Sequence, residues 1–266
     1  MKKVGKVLGL VLAASCVMGM ATGCNEKSDV ERIQEKGNLV VGITVYEPMD
    51  YIGEDGEWTG FDAELAKLFG EELGVDVKFD IITWSQKVTE LNSYSIDCVW
   101  NGMTASADLG QEIDFSVSYA RNTQVAVVLD TNTTLTTTDA IKNAKIAVEN
   151  GSAGNDIATN EIKGTNINPV TAQVDALLEV KAGTSEVAII DYTMAKNVVG
   201  EGDYANLKIV SGLEYGNEVF AVGLRKDSDL QEKLNAFFKK YYSNGKIAEL
   251  AEKYNVSIDA EALGNL

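Results

Sequence analysis

Residues 95–104, which read S-I-D-C-V-W-N-G-M-T, decide how this chain is organised. Residues 96–100 are a short apolar run, which predicts a buried strand. The run ends at Asn101-Gly102, where a glycine lets the backbone pass close to another group. In an open α/β sheet, ligands bind at the loops that leave the carboxyl ends of strands. We therefore predict a ligand site at residues 101–104, although an ordinary strand–turn junction would show the same pattern.

The sequence before this stretch alternates between strand and helix patterns. Residues 39–43 form an apolar run, residues 60–69 place their apolar side chains on one helical face, and residues 75–81 alternate between apolar and polar. Strands that alternate with helices in this way are typical of a largely parallel sheet. We predict an α/β fold.

The same pattern starts again at residue 145. An apolar strand is followed by a glycine-rich loop at residues 149–154, a helix, and a second apolar strand at residues 187–192. Two copies are too few for a stable stack of repeats, so we predict two similar α/β lobes. Two helices are predicted at the C-terminus, over residues 229–243 and 246–254.

Composition excludes several classes of function. The 266 residues are 45% hydrophobic and 24% charged, which is typical of a globular protein, and the net charge is -17. Nucleic acid is not expected as a partner, because phosphate recognition requires a basic face. The sequence has no histidine, which is the commonest general base and metal ligand. We predict no catalytic residue, no metal site and no cofactor, and the single cysteine inside the fold, Cys98, is expected in the core.

The first 24 residues read as a targeting segment. Lys2, Lys3 and Lys6 precede an apolar stretch at residues 7–20, and small residues lead to Cys24. This resembles the lipobox of bacterial lipoproteins, in which the cysteine is lipidated and becomes the mature N-terminus; Cys16 is a weaker alternative. The resemblance implies a protein anchored to the outer face of the cell membrane, as in Gram-positive lipoproteins. Residues 25–36 are polar and charged, and we predict that they are a tether.

Several blocks together resemble one family. Residues 60–66 read G-F-D-A-E-L-A, and residues 97–104, 115–119, 147–152 and 189–191 follow in the same order and spacing as in that family. They are similar to the extracellular solute-binding proteins, family 3, which serve ABC transporters of polar amino acids. The resemblance extends over residues 37–254.

The family implies a periplasmic-binding-protein-like fold of type II, in which two strands form a hinge and a solute is closed into the cleft between two lobes. The first lobe is expected at residues 37–123 plus 220–266, and the second at residues 124–219. The expected partners are a small amino acid or amine and an ABC permease, and the protein is expected to be a monomer.

The resemblance also implies a ligand site. The ligand-binding residues expected from it are Tyr46, Trp84, Asn101, Gly102, Met103, Thr104, Arg121, Asn150, Ser152 and Asp191. Asp191 ends an apolar strand and would pair with a ligand ammonium, because an unpaired buried charge is costly. Ser152 and the amides near it would bind a carboxylate, and the aromatic rings of Tyr46 and Trp84 would enclose the ligand. Trp84 could instead belong to the core.

One departure from the family pattern bears on the ligand. The family has an arginine that binds the ligand carboxylate through two hydrogen bonds, and here Leu109 stands at that position. Three explanations compete: Arg121 substitutes for the arginine, the ligand lacks an α-carboxylate, or binding has been lost. We favour a ligand with an amine and a weak or absent carboxylate contact. Glu149 would suit such a cation if it faces the cleft.

Two other functions are compatible with this fold. An enzyme similar to cyclohexadienyl dehydratase would need a general acid and a cationic clamp for a dicarboxylate, and the missing arginine and histidines argue against it. A sensory ectodomain would need a transmembrane helix and signalling domains, and the sequence after residue 254 has neither pattern.

Overall fold

The computed structural model describes residues 27–266. Within this part of the chain, none of the helices combines the length and the apolar character needed to cross a membrane. The predicted leader and the predicted lipidation site at Cys24 lie outside the described residues.

Ten helices and twelve strands occur in the described part of the chain. The helices are α1 Asp29–Lys36, α2 Phe61–Leu73, α3 Lys87–Asn92, α4 Thr138–Lys142, α5 Ala153–Asp156, α6 Gln173–Lys181, α7 Tyr192–Val198, α8 Leu230–Ser243, α9 Lys246–Lys253 and α10 Ala260–Gly264. The strands are β1 Asn38–Ile43, β2 Tyr51–Ile52, β3 Trp58–Thr59, β4 Asp76–Ile81, β5 Cys98–Val99, β6 Asp114–Phe115, β7 Ala120–Leu129, β8 Lys145–Glu149, β9 Asn166–Val170, β10 Val187–Asp191, β11 Leu207–Phe220 and β12 Gly223–Leu224.

The first sheet has the strand order β4-β1-β5-β12-β6. β1 pairs in parallel with β4 and β5, whereas β12, which comes from far along the chain, runs antiparallel to β5 and β6. The core beside this sheet is aromatic: the Trp100 ring lies 5.6 Å from that of Phe238 and 6.2 Å from that of Phe69. The C-terminal segment therefore completes the lobe that the N-terminal segment begins.

The second sheet has the order β11-β7-β10-β8-β9. β8 is parallel to β9 and β10, and β7 is antiparallel to β10 and β11. Every residue of β10 is buried, which explains why its first four residues are all apolar and do not alternate with polar ones. Parallel pairing is thus confined to the strand–helix–strand part of each sheet.

Two long strands connect the lobes. β7 and β11 pair from Leu207 opposite Leu129 to Phe220 opposite Ala120. At that end Phe220 forms a bridge with Thr104, which follows β5 of the first sheet. This arrangement confirms the predicted two-lobed α/β fold with a two-strand connection. The lobe boundaries at 123/124 and 219/220 fall inside these strands and stay predictions.

The prediction of a tether over residues 25–36 is wrong for its larger part, because residues 29–36 form α1. Ser28 caps this helix in a capping box with Glu31, and Gly37 ends it with a left-handed backbone. Val30 and Ile33, three residues apart, are buried on one face. The exposed face of this amphipathic helix is rich in charged residues, so the composition of the segment resembled that of a disordered tether.

Candidate ligand-binding site

A cavity of about 220 Å³ lies between residues of the two sheets. Pockets for drug-sized ligands are typically about 300–1,000 Å³, so this one suits a small metabolite. It is lined by Tyr46, Trp84, Lys87, Asn101, Gly102, Met103, Thr104, Ser106, Asp108, Leu109, Glu112, Glu149, Gly151, Ser152, Ala153, Asp156, Gln173 and Asp191.

Most of the predicted site residues meet at this cavity. Those that line it are Tyr46, Trp84, Asn101, Gly102, Met103, Thr104, Ser152 and Asp191. Asn150 is exposed in the turn after β8 and is not part of the lining. Trp84 is 7% exposed, packs in a small core and lines the cavity, and its contact with a ligand stays a prediction.

Arg121 does not line the cavity. Its guanidinium is 2.8 Å from Asp259 and 3.3 Å from Glu261, and its side chain is 53% exposed. Side chains alternate between the two faces of a strand, and in β7 the next residue, Asn122, is the one that points to the buried side. The hypothesis that Arg121 takes the place of the missing arginine in this cavity is therefore wrong.

The loop after β5, residues 101–104, is fixed by hydrogen bonds to groups outside the cavity lining. The side-chain amide of Asn101 donates to the carbonyl of Thr44 at 3.0 Å and to Asp50 at 2.7 Å. The N–H of Gly102 donates to Asp62 at 2.6 Å. Gly102 has φ +54°, and a Cβ there would lie 2.6 Å from the Tyr46 ring. Only glycine fits this close approach, as the sequence pattern indicated.

Asp50 and Asp62 form a buried acidic pair under this loop, each with 0% exposure. Burial raises the pKa of Asp62 to about 7, against the opposing hydrogen bonds from Gly102 and Tyr119. Burial, together with the charge of Asp62, raises the pKa of Asp50 well above its usual range. These acids support the backbone of the site and lie outside its lining.

Asp191 ends β10 at the floor of the cavity and is 5% exposed. Oδ1 accepts from the amides of Gln124, at 2.6 Å, and of Asn122, and Oδ2 accepts from the amide of Gln173. A carboxylate can accept about four hydrogen bonds, so Asp191 keeps capacity for one more donor, which the neighbouring Tyr46 hydroxyl or a ligand can supply. Burial, followed by the nearby charge of Glu218, raises its pKa to about 7.

Sequence reasoning missed the side chains that position Asp191. Asn122 and Gln124 lie two residues apart on β7, and Glu218 lies opposite Asn122 on β11. Their amides also donate to Glu218, at 2.9 and 3.0 Å. The sequence offered no signal for them, because residues 121–124 are all polar and do not show which side chains face the cavity.

Glu149, at the end of β8, faces the cavity and answers the question that the sequence left open. It is 2% exposed, and its Oε1 has no hydrogen-bond partner among the described residues. Burial and the nearby Asp191 raise its pKa to about 8. A buried acid with an unpaired oxygen directed at a cavity is suited to a ligand donor.

Lys87, the first residue of α3, is a cavity residue that was not predicted. Its Nζ donates to the carbonyl of Gly151 at 3.0 Å and lies 4.8 Å from the centre of the Trp84 ring. Burial lowers its pKa, and the charges of Glu149, Asp156 and Glu112 oppose that shift. Lysine at the start of an amphipathic helix carried no signal, because such residues are usually exposed.

The rim of the cavity is acidic. Asp108 and Glu112 from the first lobe and Asp156 from the second are exposed. Leu109, also in the lining, lies in a turn of 3-10 helix between the first two and provides no side-chain donor. The described residues contain no cluster of acids or cysteines that could hold a metal ion.

Residues 39–257 match the bacterial extracellular solute-binding proteins, family 3. The chain is 26% identical over 248 residues to the L-cystine-binding protein TcyJ of Escherichia coli, covering 92% of each chain. It is 26% identical over 255 residues to the arginine-binding extracellular protein ArtP of Bacillus subtilis, covering 92% of this chain and 96% of ArtP.

The fold is similar to that of solved structures. A crystal structure of a mutant of ArgBP from T. maritima has a TM-score of 0.79 and 29% identity, covering 85% of this chain and 98% of that one. The match to the family spans most of the chain. The protein belongs to the bacterial extracellular solute-binding proteins, family 3.

Proposed function

We propose that this protein is the substrate-binding component of an ABC importer and that it captures a small solute with a protonated amine. Asp191 carries this proposal: a buried carboxylate at the floor of the cavity, oriented by three amides and with room for one more donor. Glu149, beside it, supplies a second buried acid. The named relatives bind cystine and arginine, both of which carry amines.

The acidic rim supports the same ligand class. Three exposed acids, Asp108, Glu112 and Asp156, surround the cavity, and Lys87 is the one cation in the described lining. Charges of one sign around a cleft raise the local concentration of ligands of the opposite sign. A solute with a net positive charge is favoured over an anion, and the favourable field should weaken as salt is added.

Calorimetry with purified protein tests this proposal. The panel contains arginine, cystine and the corresponding amines that lack the carboxylate, agmatine and cystamine, with acetate and succinate as anions without an amine. Saturable binding of at least one amine-bearing solute, and none of the anions, is expected. Binding of succinate in preference to every amine would contradict the proposed ligand class.

The cellular setting is part of the proposal. Lipidation at Cys24 and attachment to the outer face of the membrane are supported by the lipobox resemblance alone, and delivery to a permease by the family. Mass spectrometry of the mature N-terminus, with Cys24→Ser as the control, tests lipidation. Uptake of labelled solute in cells that lack the protein tests delivery, and light scattering tests the monomer.

A dehydratase-like enzyme is less well supported by this cavity. Glu149 and Asp191 could serve as acids, but a dicarboxylate substrate would need cationic groups to hold both of its charges. Among the described lining residues Lys87 alone is cationic, and it is accompanied by acids on both lobes. Loss of binding is also disfavoured, because the Tyr46 hydroxyl and Glu149 Oε1 in the cavity have no hydrogen-bond partner among the described residues.

A further inference from the structure

Lys87 is an ammonium group held away from water without an anionic partner. Its residue is 9% exposed, and no carboxylate oxygen of the described residues lies within 4.0 Å of its Nζ. Burying a charge is unfavourable unless that charge is paired. The close contacts of its ammonium are two carbonyls and the Trp84 ring, and the charges of Glu149, Asp156 and Glu112 act on it from beyond 4.0 Å.

The hydrogen bonds of Lys87 leave room for a ligand. An ammonium has three donors. One is directed to the carbonyl of Gly151 at 3.0 Å, and a second to the carbonyl of Trp84 at 3.4 Å, which is a long contact. At least one donor is therefore available at a group that lines the cavity.

The acids around Lys87 do not replace an anionic ligand. Glu149 has a pKa of about 8 and is largely neutral at pH 7. Asp156 and Glu112 lie at the exposed rim, where water and salt screen their charges. The buried ammonium thus keeps most of its attraction for a carboxylate that enters the cavity.

We infer that Lys87 binds the carboxylate of the ligand, in the role left vacant by Leu109, so that the cleft takes an amino acid rather than a simple amine. This inference rests on the proposed function and narrows it. It revises the expectation of a weak or absent carboxylate contact, which followed from the leucine at position 109.

The two charged ends of such a ligand would engage the two lobes. Lys87 belongs to α3 of the first lobe, and Asp191 ends β10 of the second. A zwitterion whose carboxylate pairs with Lys87 and whose ammonium pairs with Asp191 would link the two lobes and favour the closed cleft. A simple amine would pair with Asp191 and leave the ammonium of Lys87 without a partner. In a diamine such as cystamine, the second cationic group would be repelled by Lys87.

A purely structural role is the competing explanation, because the hydrogen bond from Lys87 to Gly151 already joins the two lobes. The two roles differ in one respect. Loss of an interlobe hydrogen bond weakens every ligand alike, whereas loss of a carboxylate-binding group weakens only ligands that have a carboxylate.

The experiment compares wild type with Lys87→Met by calorimetry, using arginine against agmatine and cystine against cystamine. We expect Lys87→Met to weaken the amino acid of the binding pair about 10- to 100-fold, the usual effect of a lost hydrogen bond to a charged group. The matching amine should change less than threefold or bind more tightly. Lys78→Met, at an exposed lysine on β4, is the matched control and should change neither affinity.

Each other result overturns the inference. Equal weakening of amino acid and amine would make Lys87 an interlobe contact only. If the wild-type protein binds an amino acid and its matching amine equally well, the inference for Lys87 is overturned and the proposed function stands. Failure of all four solutes to bind wild type would overturn both. Thermal unfolding confirms that each variant is folded, and Lys87→Gln replaces Lys87→Met if the latter does not fold.

Discussion

Asp191 and Glu218 accept hydrogen bonds from the same two side-chain amides. The Nε2 atom of Gln124 lies 2.6 Å from Asp191 and 3.0 Å from Glu218, and the amide of Asn122 bridges the same two acids. These amides lie on β7 and Glu218 on β11, the strands that connect the lobes. The acid that we assign to the ligand ammonium is therefore positioned by the connection between the lobes.

The first prediction concerns Asp191 itself. Asp191→Asn keeps the size of the side chain but removes the charge that pairs with an ammonium. We expect about 10- to 100-fold weaker binding of any amine-bearing solute, because hydrogen bonds to charged groups contribute about 1.5–3 kcal/mol. Calorimetry measures the change in affinity, with Asp80→Asn at an exposed position on β4 as the control. Unchanged affinity in Asp191→Asn would remove Asp191 from the site.

The second prediction is a pH dependence of binding. The raised pKa of Asp191, about 7, means that it is largely protonated at pH 5 in the free protein. Since an ammonium pairs with the carboxylate form, binding must release that proton below pH 7. Affinity should fall about tenfold for each pH unit below 7 and level off above pH 8.

Calorimetry between pH 5 and pH 8, in two buffers of different ionisation enthalpy, measures the released proton. The comparison is made in Glu149→Gln, because Glu149 titrates in the same range with a pKa of about 8. Adding Asp191→Asn should abolish the remaining slope. A flat profile before that substitution would show that Asp191 is ionised at every pH tested.

The third prediction concerns Gly102. Gly102→Ala would place a Cβ 2.6 Å from the Tyr46 ring at φ +54°. We expect a loss of stability of about 1–3 kcal/mol from strain and overpacking, together with weaker ligand binding. Gly56→Ala is the control, since Gly56 also has a positive φ, +82°, but has nothing within 4 Å of the added Cβ. Chemical denaturation should show the larger loss in Gly102→Ala, and equal losses would contradict a steric role for Tyr46.

The fourth prediction concerns the attachment of α1. Arg225 is 6% exposed, binds Asp29 of α1 at 3.0 Å, and donates to the carbonyls of Leu91 and Ile96. Arg225→Met leaves Asp29 as an unpaired buried charge, so we expect a loss of about 3–5 kcal/mol in the free energy of unfolding. Lys27→Met, at the exposed ion pair with Glu35, should have a small effect on stability. Arg121→Met, which lies outside the cavity lining, should leave ligand binding unchanged. Denaturation and calorimetry measure the two properties.

Local pattern was sufficient for much of the fold. The apolar runs that became β1, β8 and β10 are buried strands because their side chains are apolar at consecutive positions. The C-terminal helices begin and end within about two residues of the prediction. Residues 25–36 were misread because an amphipathic helix of eight residues is short and its buried face has few members.

The site was predictable only where its residues follow strand ends. Asn101, Ser152 and Asp191 each follow or end a strand, and parallel strands of one sheet bring their carboxyl ends to a common edge. Arg121 was misplaced because the direction in which a strand residue points depends on the register of β7 in its sheet. Lys87 was missed because nothing in its neighbours along the chain indicates burial.

The sequence by itself determined the alternation of strands and helices, the family, the glycine at the turn after β5 and the absence of an arginine at position 109. Those features are local, since each depends on residues a few positions apart. Only the tertiary structure decided that Arg121 faces away from the cavity, that Glu149 faces into it, and that a lysine lies buried opposite Asp191. Charges pair through space, and groups separated by some hundred residues become neighbours only when two sheets close on one cleft.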